Sequence, residues 1–156
     1  MPANNYLSTM FNIKGKVTVL IGGGGYLLSE MAIGLAKAGA TVVILDKDIG
    51  KAKIIVQKIK KMNTRIMAEK FDATDKENHK AALKKILKRF KRVDVLINGA
   101  GINAPTPVLD ITADEWSAII DSHATATLFG SQVFGKQMIK QKKGSIINMA
   151  SVSSGP

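Results

Sequence analysis

Val17-Thr18-Val19-Leu20-Ile21, followed at once by Gly22-Gly23-Gly24-Gly25, decides the fold. The first five residues form a nearly continuous, mostly β-branched run, the pattern of a parallel strand buried on both faces. The glycines mark a tight turn. Beyond them Leu27, Met31, Leu35 and Ala38 recur at helical spacing, and Gly39 stands where a helix C-cap glycine belongs. Residues 41–45 are a second buried run, ending at Asp46. Strand, turn, helix and strand within about 30 residues make a βαβ unit.

Working outward, the pattern repeats. Ala52, Ile55, Ile59 and Met62 predict a second helix, and residues 65–71 a third strand. Thr74-Asp75-Lys76-Glu77 reads as a capping box opening a third helix, whose core face is Ala82, Leu83, Ile86, Leu87 and Phe90. Residues 93–97 predict a fourth strand. A loop with Pro105 and Pro107 leads to a second capping box, Thr112-Ala113-Asp114-Glu115, and a long helix running to about Lys140. Residues 145–149 are a fifth strand. Such alternation, with right-handed crossovers, implies one α/β domain over residues 1–156 built on a doubly wound parallel sheet. The expected order is 3-2-1-4-5, with ligand bound at the carboxyl edge where the order reverses, between strands 1 and 4.

A chain of 156 residues with 46% hydrophobic residues can build a sizeable core. It has no cysteine, which excludes disulfides and thiolate metal ligation; no metal site is expected. No apolar run approaches the ~18 residues of a membrane span, and residues 1–10 lack a secretory signal pattern, so no membrane partner and a cytoplasmic location are expected. The net charge of +11 raises nucleic acid as a partner. Most lysines, however, fall between Lys47 and Lys91, in stretches that also carry helical apolar periodicity. They read as the solvent faces of two helices, with few aromatics for base stacking. No specific nucleic-acid partner is expected, only nonspecific attraction to polyanions at low salt.

Two features carry chemistry. Glycines after a buried strand let backbone approach a pyrophosphate, while the following helix N-terminus supplies N–H groups and partial positive charge. Tight strand-to-helix turns also use glycine for its own sake; the complete βαβ unit favours cofactor binding. Asp46, ending the second strand, is placed to accept the adenosine ribose hydroxyls of a dinucleotide. The alternative is an ordinary turn acid or a capping neighbour of Asp48. A carboxylate there disfavours a 2′-phosphate, so NAD is expected ahead of NADP, with Lys47 and Lys51 offsetting part of the repulsion.

Phe11-Asn12-Ile13-Lys14-Gly15-Lys16-Val17, the glycine turn, Asp46, Asp72, Asn98-Gly99-Ala100-Gly101 and Gly144-Ser145-Ile146-Ile147-Asn148-Met149-Ala150-Ser151 together resemble the landmarks of the short-chain dehydrogenase/reductase family. The ordered set spans nearly the whole chain. The run Gly22 to Leu27, with the Asn-Gly-Ala-Gly after Ile97, is similar to the D-mannonate (fructuronate) oxidoreductase branch. The resemblance implies a Rossmann-type fold and hydride transfer between a nicotinamide dinucleotide and a secondary alcohol or ketone, a sugar acid among the substrates, in a homo-oligomer. It implies that Gly22, Gly23, Gly24, Gly25, Tyr26 and Leu27 wrap the pyrophosphate and that Asp72 and Ala73 face the adenine. Asn98, Gly99 and Ala100 would line the cofactor and brace the sheet. Ser151 would hold the substrate oxygen, unless it is a loop serine like its neighbours Ser153 and Ser154.

The departures are as informative. Ile21 replaces the family's Thr before the first glycine, and Leu28 its last glycine. His123 stands where a catalytic Asn is usual; it would join a proton relay or be a polar helix residue of no consequence. The family's catalytic Tyr, with a Lys four residues later, belongs about a dozen residues after Ser151, beyond Pro156. Tyr6 and Tyr26 are the tyrosines present, followed at that spacing by Met10 and Glu30. The expectation is a C-terminally truncated chain, inactive alone: the dinucleotide-binding part of an oxidoreductase or, alternatively, a non-catalytic dinucleotide-binding module.

Overall fold

The computed structural model describes residues 9–62 and 64–150; Ser151 lies outside the described residues. Five parallel strands, β1 (Val17–Ile21), β2 (Thr41–Asp46), β3 (Ile66–Lys70), β4 (Val95–Asn98) and β5 (Ser145–Asn148), form one sheet in the order β3-β2-β1-β4-β5. This is the expected doubly wound arrangement. Ile21 pairs with Leu45 on one side and Asn98 on the other. The chain therefore leaves β1, β2 and β4 at one edge, which brings the glycine turn, Asp46 and Gly99 together.

Helices α1 (Tyr26–Lys37), α2 (Ile49–Lys60) and α3 (Lys76–Phe90) follow the first three strands. After β4, α4 (Ala113–Ile120) passes through a π-helical turn (Asp121–Thr125) into α5 (Ala126–Lys140). The expected long helix thus ends at Lys140 but is widened midway. At this turn the Ser122 hydroxyl donates to the Ile119 carbonyl at 2.9 Å while accepting the Ile102 N–H at 3.1 Å. Such a turn inside a helix often marks a functional site.

One core layer, including Leu20, Ile44, Ala32, Ala36 and Ile59, fills the face under α1 and α2. The other, including Val19, Leu96, Ile86, Phe90 and Phe134, fills the face under α3 and α5. Each fully buried large side chain contributes about 1.5–3 kcal/mol. Strand β1 is buried throughout, as its β-branched run requires. Strand β5 is exposed along its length, and among the described residues β4 is its single neighbour.

Three local expectations are corrected. Helix α1 buries Leu28, Ser29, Ala32 and Ala36 most deeply; of the stripe through Leu27, Met31, Leu35 and Ala38, Met31 and Leu35 are partly buried against the same layer, while Leu27, 55% exposed, and Ala38 face outward. Small residues let α1 lie close to the sheet, so the larger side chains flank the contact. Helix α3 is capped by Asp75, which accepts from the Glu77 N–H at 2.8 Å, not by Thr74, whose hydroxyl is already given to Asp72 at 2.7 Å. At α4, Thr112 caps Glu115 N–H at 3.2 Å as expected, but the Glu115 carboxylate accepts from the Thr106 hydroxyl rather than closing the box. Gly39, at φ +85°, ends α1 with the two backbone bonds of a Schellman motif, Gly39 N–H to Ala36 O and Ala40 N–H to Leu35 O, both 3.0 Å.

Candidate functional site

The glycine turn is held from both sides. Gly22 adopts φ +80° and donates its N–H to the Leu45 carbonyl at 2.8 Å. A side chain there would meet Gly99 O and Ala100 N at 2.9 Å, so backbone from β1 and β4 touches directly. Gly25 N–H bonds to Gly22 O at 3.1 Å, and Gly25 is the N-cap of α1. The first helical bond of α1 runs from Ser29 N–H to Gly25 O, which leaves the preceding N–H groups without a partner inside the helix. They open at the groove that Tyr26, Leu27 and Leu28 line.

Asp46 closes the other side of the turn. Its Oδ2 accepts the Gly24 N–H at 2.8 Å and its Oδ1 the Asp48 N–H at 2.8 Å. The carboxylate is therefore oriented by backbone before any ligand arrives, and each oxygen keeps a further lone pair. Lys47 Nζ lies 3.8 Å from Asp72 Oδ2, and Lys51 Nζ 3.9 Å from Asp48 Oδ2. Both nearby cations are thus drawn toward other carboxylates.

The loop after β3 forms the next wall. Asp72 accepts from the Thr74 hydroxyl at 2.7 Å and the Thr74 N–H at 2.9 Å. These bonds, the hydroxyl ahead of the N–H, hold the Asp72 carboxyl below the usual carboxylate range; Lys47 helps and partial burial opposes. The Ala73 carbonyl accepts from His79 Nε2 at 2.8 Å.

After β4, Asn98 turns inward. It is 3% exposed, donates to Asn148 Oδ1 at 2.8 Å and Ser131 Oγ at 3.4 Å, and ties β4 to β5 and α5 without lining the groove. Gly99 lies so close to Leu28 that a Cβ there would meet both Leu28 methyls at 2.7 Å. The residue replacing a family glycine therefore occupies space that Gly99 vacates. Farther on, the His123 ring lies over Gly101, and its Nε2 sits 3.0 Å from the Ile102 carbonyl. Together with Ser122, His123 secures both polar backbone groups of Ile102.

Two cavities follow from this arrangement. One, about 850 Å³, is lined by Asp46, Lys47, Ile49, Phe71, Asp72 and Ala73 among others. The second, about 770 Å³, is lined by Tyr26, Leu27, Asn103, His123, Met149 and Ala150. Both include Gly22, Gly25, Gly99, Ala100 and Gly101, so they meet as one groove across the sheet edge where the strand order reverses. Gly23 and Gly24 shape the turn from beneath rather than lining it. Sequence reading missed His79, Ser122 and the Lys47–Asp72 pair. His79 alone left a signal: it falls on the apolar stripe of α3, three residues before Ala82.

Among the described residues, no helix is long and apolar enough to cross a membrane, and no cluster of His, Asp and Glu could hold a metal ion. A parallel sheet whose order reverses under a glycine turn defines a doubly wound nucleotide-binding fold. The family model described as short chain dehydrogenase matches residues 16–155, and the chain belongs to that family. It is 32% identical over 151 residues to the 5-keto-D-gluconate 5-reductase of Escherichia coli (strain K12), covering 95% of this chain and 58% of that protein. Among solved structures it superposes on an NAD+-bound xylitol dehydrogenase with a TM-score of 0.88 at 26% identity, covering 92% of this chain and 56% of that one. A metagenomic short-chain oxidoreductase in complex with NADP superposes with a TM-score of 0.86 at 26% identity, covering 93% and 66%. The chain spans a little over half the length of the curated relatives it matches.

Proposed function

We propose that residues 1–156 are the NAD-binding domain of an oxidoreductase that moves hydride between NAD(P) and a secondary alcohol or ketone, a sugar acid being the favoured substrate class. The observation that carries this reading is the Asp46 carboxylate, oriented by Gly24 N–H at 2.8 Å at the rim of a groove that runs past the glycine turn. Backbone-held carboxylate, glycine turn and open helix N-terminus meet three separate demands of a dinucleotide: ribose hydroxyls, pyrophosphate charge and close backbone approach. The kinship to a 5-keto-D-gluconate 5-reductase supports a sugar acid.

In this reading Gly22, Gly25, Tyr26 and Leu27 cradle the pyrophosphate, with Gly23 and Gly24 shaping the turn behind them. Asp46 binds the adenosine ribose, while Asp72 and Ala73 border the adenine. Gly99 and Ala100 form the floor, and Asn98 braces it from inside the sheet. A bound nicotinamide supplies the hydride chemistry. Ser151 would hold the substrate oxygen, and His123, on the π-helical turn, lines the groove together with Met149 and Ala150. Residues 1–156 contain no Tyr followed four residues later by Lys, so the activity proposed for this stretch is dinucleotide binding without turnover. The exposed edge of β5 makes self-association part of the same reading.

Titration of the 156-residue chain with NADH, followed by nicotinamide fluorescence, tests the proposal. Saturable binding competed by ADP-ribose is expected. No binding of either molecule to the folded chain would refute it.

A further inference from the structure

His79 is 0% exposed, yet nothing in the proposed chemistry uses it. It lies on α3 between Phe71, Phe129 and Phe134, whose rings stand edge-on at centroid distances of 4.7, 6.2 and 6.4 Å. A carbonyl can only accept, so the 2.8 Å contact with Ala73 O places the proton on Nε2. Nδ1 is then a bare acceptor, buried and without a hydrogen-bond partner. A hydrocarbon side chain would fill this box without stranding a nitrogen. The polar ring therefore needs a reason, and the bond it does make supplies one.

That bond acts on the groove. Ala73 lines the cavity beside Asp46, and the preceding helix residue works on the same loop: Asn78 Oδ1 accepts the Asp72 N–H at 3.4 Å. Two successive residues of α3 thus grip the Asp72 N–H and the Ala73 carbonyl. Resting on the dinucleotide reading of the groove, we infer that His79 is a positioning residue for the adenine-binding wall, fixing the loop at Asp72 and Ala73 through the Ala73 carbonyl without touching the nucleotide. The neutral ring is the one that can do this while its Nδ1 stays bare. Burial favours it by pushing the imidazole pKa down, against the Ala73 bond and the nearby Asp75 and Asp72, which pull it up. Lys76 Nζ sits over the Phe129 ring at 5.3 Å, on the rim of the box.

Calorimetric titration of the full 156-residue chain with ADP-ribose, in wild type, His79→Phe and His79→Gln, tests the inference. Phe fills the aromatic box but cannot donate; Gln can donate but lacks the ring. Loss of one donor to the part-buried Ala73 carbonyl should weaken ADP-ribose binding roughly five- to tenfold in His79→Phe. His79→Gln should recover affinity to within about twofold of wild type. If wild type binds and His79→Phe binds equally well, the side chain merely packs and the inference fails. If wild type does not bind ADP-ribose, the dinucleotide reading itself fails. Should the variants not fold, long-range ¹H–¹⁵N spectra of the wild-type imidazole decide. A neutral Nε2–H ring persisting below pH ~6.5 is expected, and an Nδ1–H tautomer, or titration at that ordinary value, would overturn the inference.

Discussion

Replacing Asp46 by Asn removes one negative charge from the ribose end of the groove while leaving an oxygen that can still accept one of the two backbone bonds. In the wild type those bonds, from Gly24 and Asp48 N–H, are both 2.8 Å, so the carboxylate has little freedom to swing away from a 2′-phosphate. Two unit charges at ~4 Å repel by about 4 kcal/mol at an effective dielectric of ~20, roughly a thousandfold in affinity. Lys47 and Lys51 reduce that figure. Each is exposed and near a carboxylate, at 3.8 Å from Asp72 and 3.9 Å from Asp48, and each gives back about 1 kcal/mol at most by turning to the phosphate. The remaining ~2 kcal/mol predicts that wild type binds NADH about thirtyfold more tightly than NADPH. Asp46→Asn should bring the two within about threefold. Asp46→Ala should also narrow the ratio but weaken both cofactors, because it strips both N–H groups of their acceptor at about 1–3 kcal/mol each if they stay dry. Parallel fluorescence titrations with NADH and NADPH read the ratio, in which any general loss of folding cancels. A ratio that Asp46→Asn leaves unchanged would refute the assignment of cofactor choice to this carboxylate.

Gly99→Ala should cost about 1–3 kcal/mol of stability by urea unfolding, because its Cβ would meet both Leu28 methyls at 2.7 Å; the double variant with Leu28→Ala should lose clearly less than the sum of the singles, and strict additivity would contradict the contact. For pH, the folded-state pKa of His79 lies below its unfolded value, so its contribution to stability is complete above pH ~6.5 and is lost as pH falls below that toward the folded value. The depressed carboxyl of Asp72 acts in the same direction only near and below its ordinary value of 3.8. Urea unfolding from about pH 8 to pH 5 should therefore show falling stability that flattens in His79→Phe, and identical slopes would count against a buried neutral ring. Binding to duplex DNA should be weak, sequence-independent and lost at moderate salt, as expected of lysines spread over helix faces; tight sequence-selective binding in electrophoretic shifts at physiological salt would overturn that view. Sedimentation of the purified chain should show self-association reduced by Ile147→Lys on the exposed β5, and a wild-type monomer would disprove it.

The strands were legible because burial on both faces leaves an unbroken β-branched run, and residues 17–21 and 41–45 carry it with little else in the way. With alternating helices and right-handed crossovers, the sheet order followed. The face of α1 was misread because the contact with the sheet is made by Ala32 and Ala36, whose small side chains carry little weight in a hydrophobic pattern. The cap of α3 turned on competition: Asp72 takes the Thr74 hydroxyl, an interaction that spacing alone does not rank above a capping box. The π-helical turn does not show in the apolar periodicity, and the contact between Ser122 and Ile102 within it joins residues twenty apart. At the site, the glycine turn and Asp46 stood out by position within one βαβ unit. The contacts joining Leu28 to Gly99 and His79 to Ala73 required the folded chain.

The central claim, that one groove across the switch point receives an extended dinucleotide, is tested most directly by amide chemical-shift mapping of the ¹⁵N-labelled chain during NADH titration. Shifts should saturate together at Gly22, Gly25, Asp46, Ala73, Ala100 and His123, because the two cavities meet at the glycine turn. The exposed lysines of α2 beyond Lys51, and those of α3, should stay unmoved. Perturbations confined to those faces, or to only one of the two cavities, would contradict it.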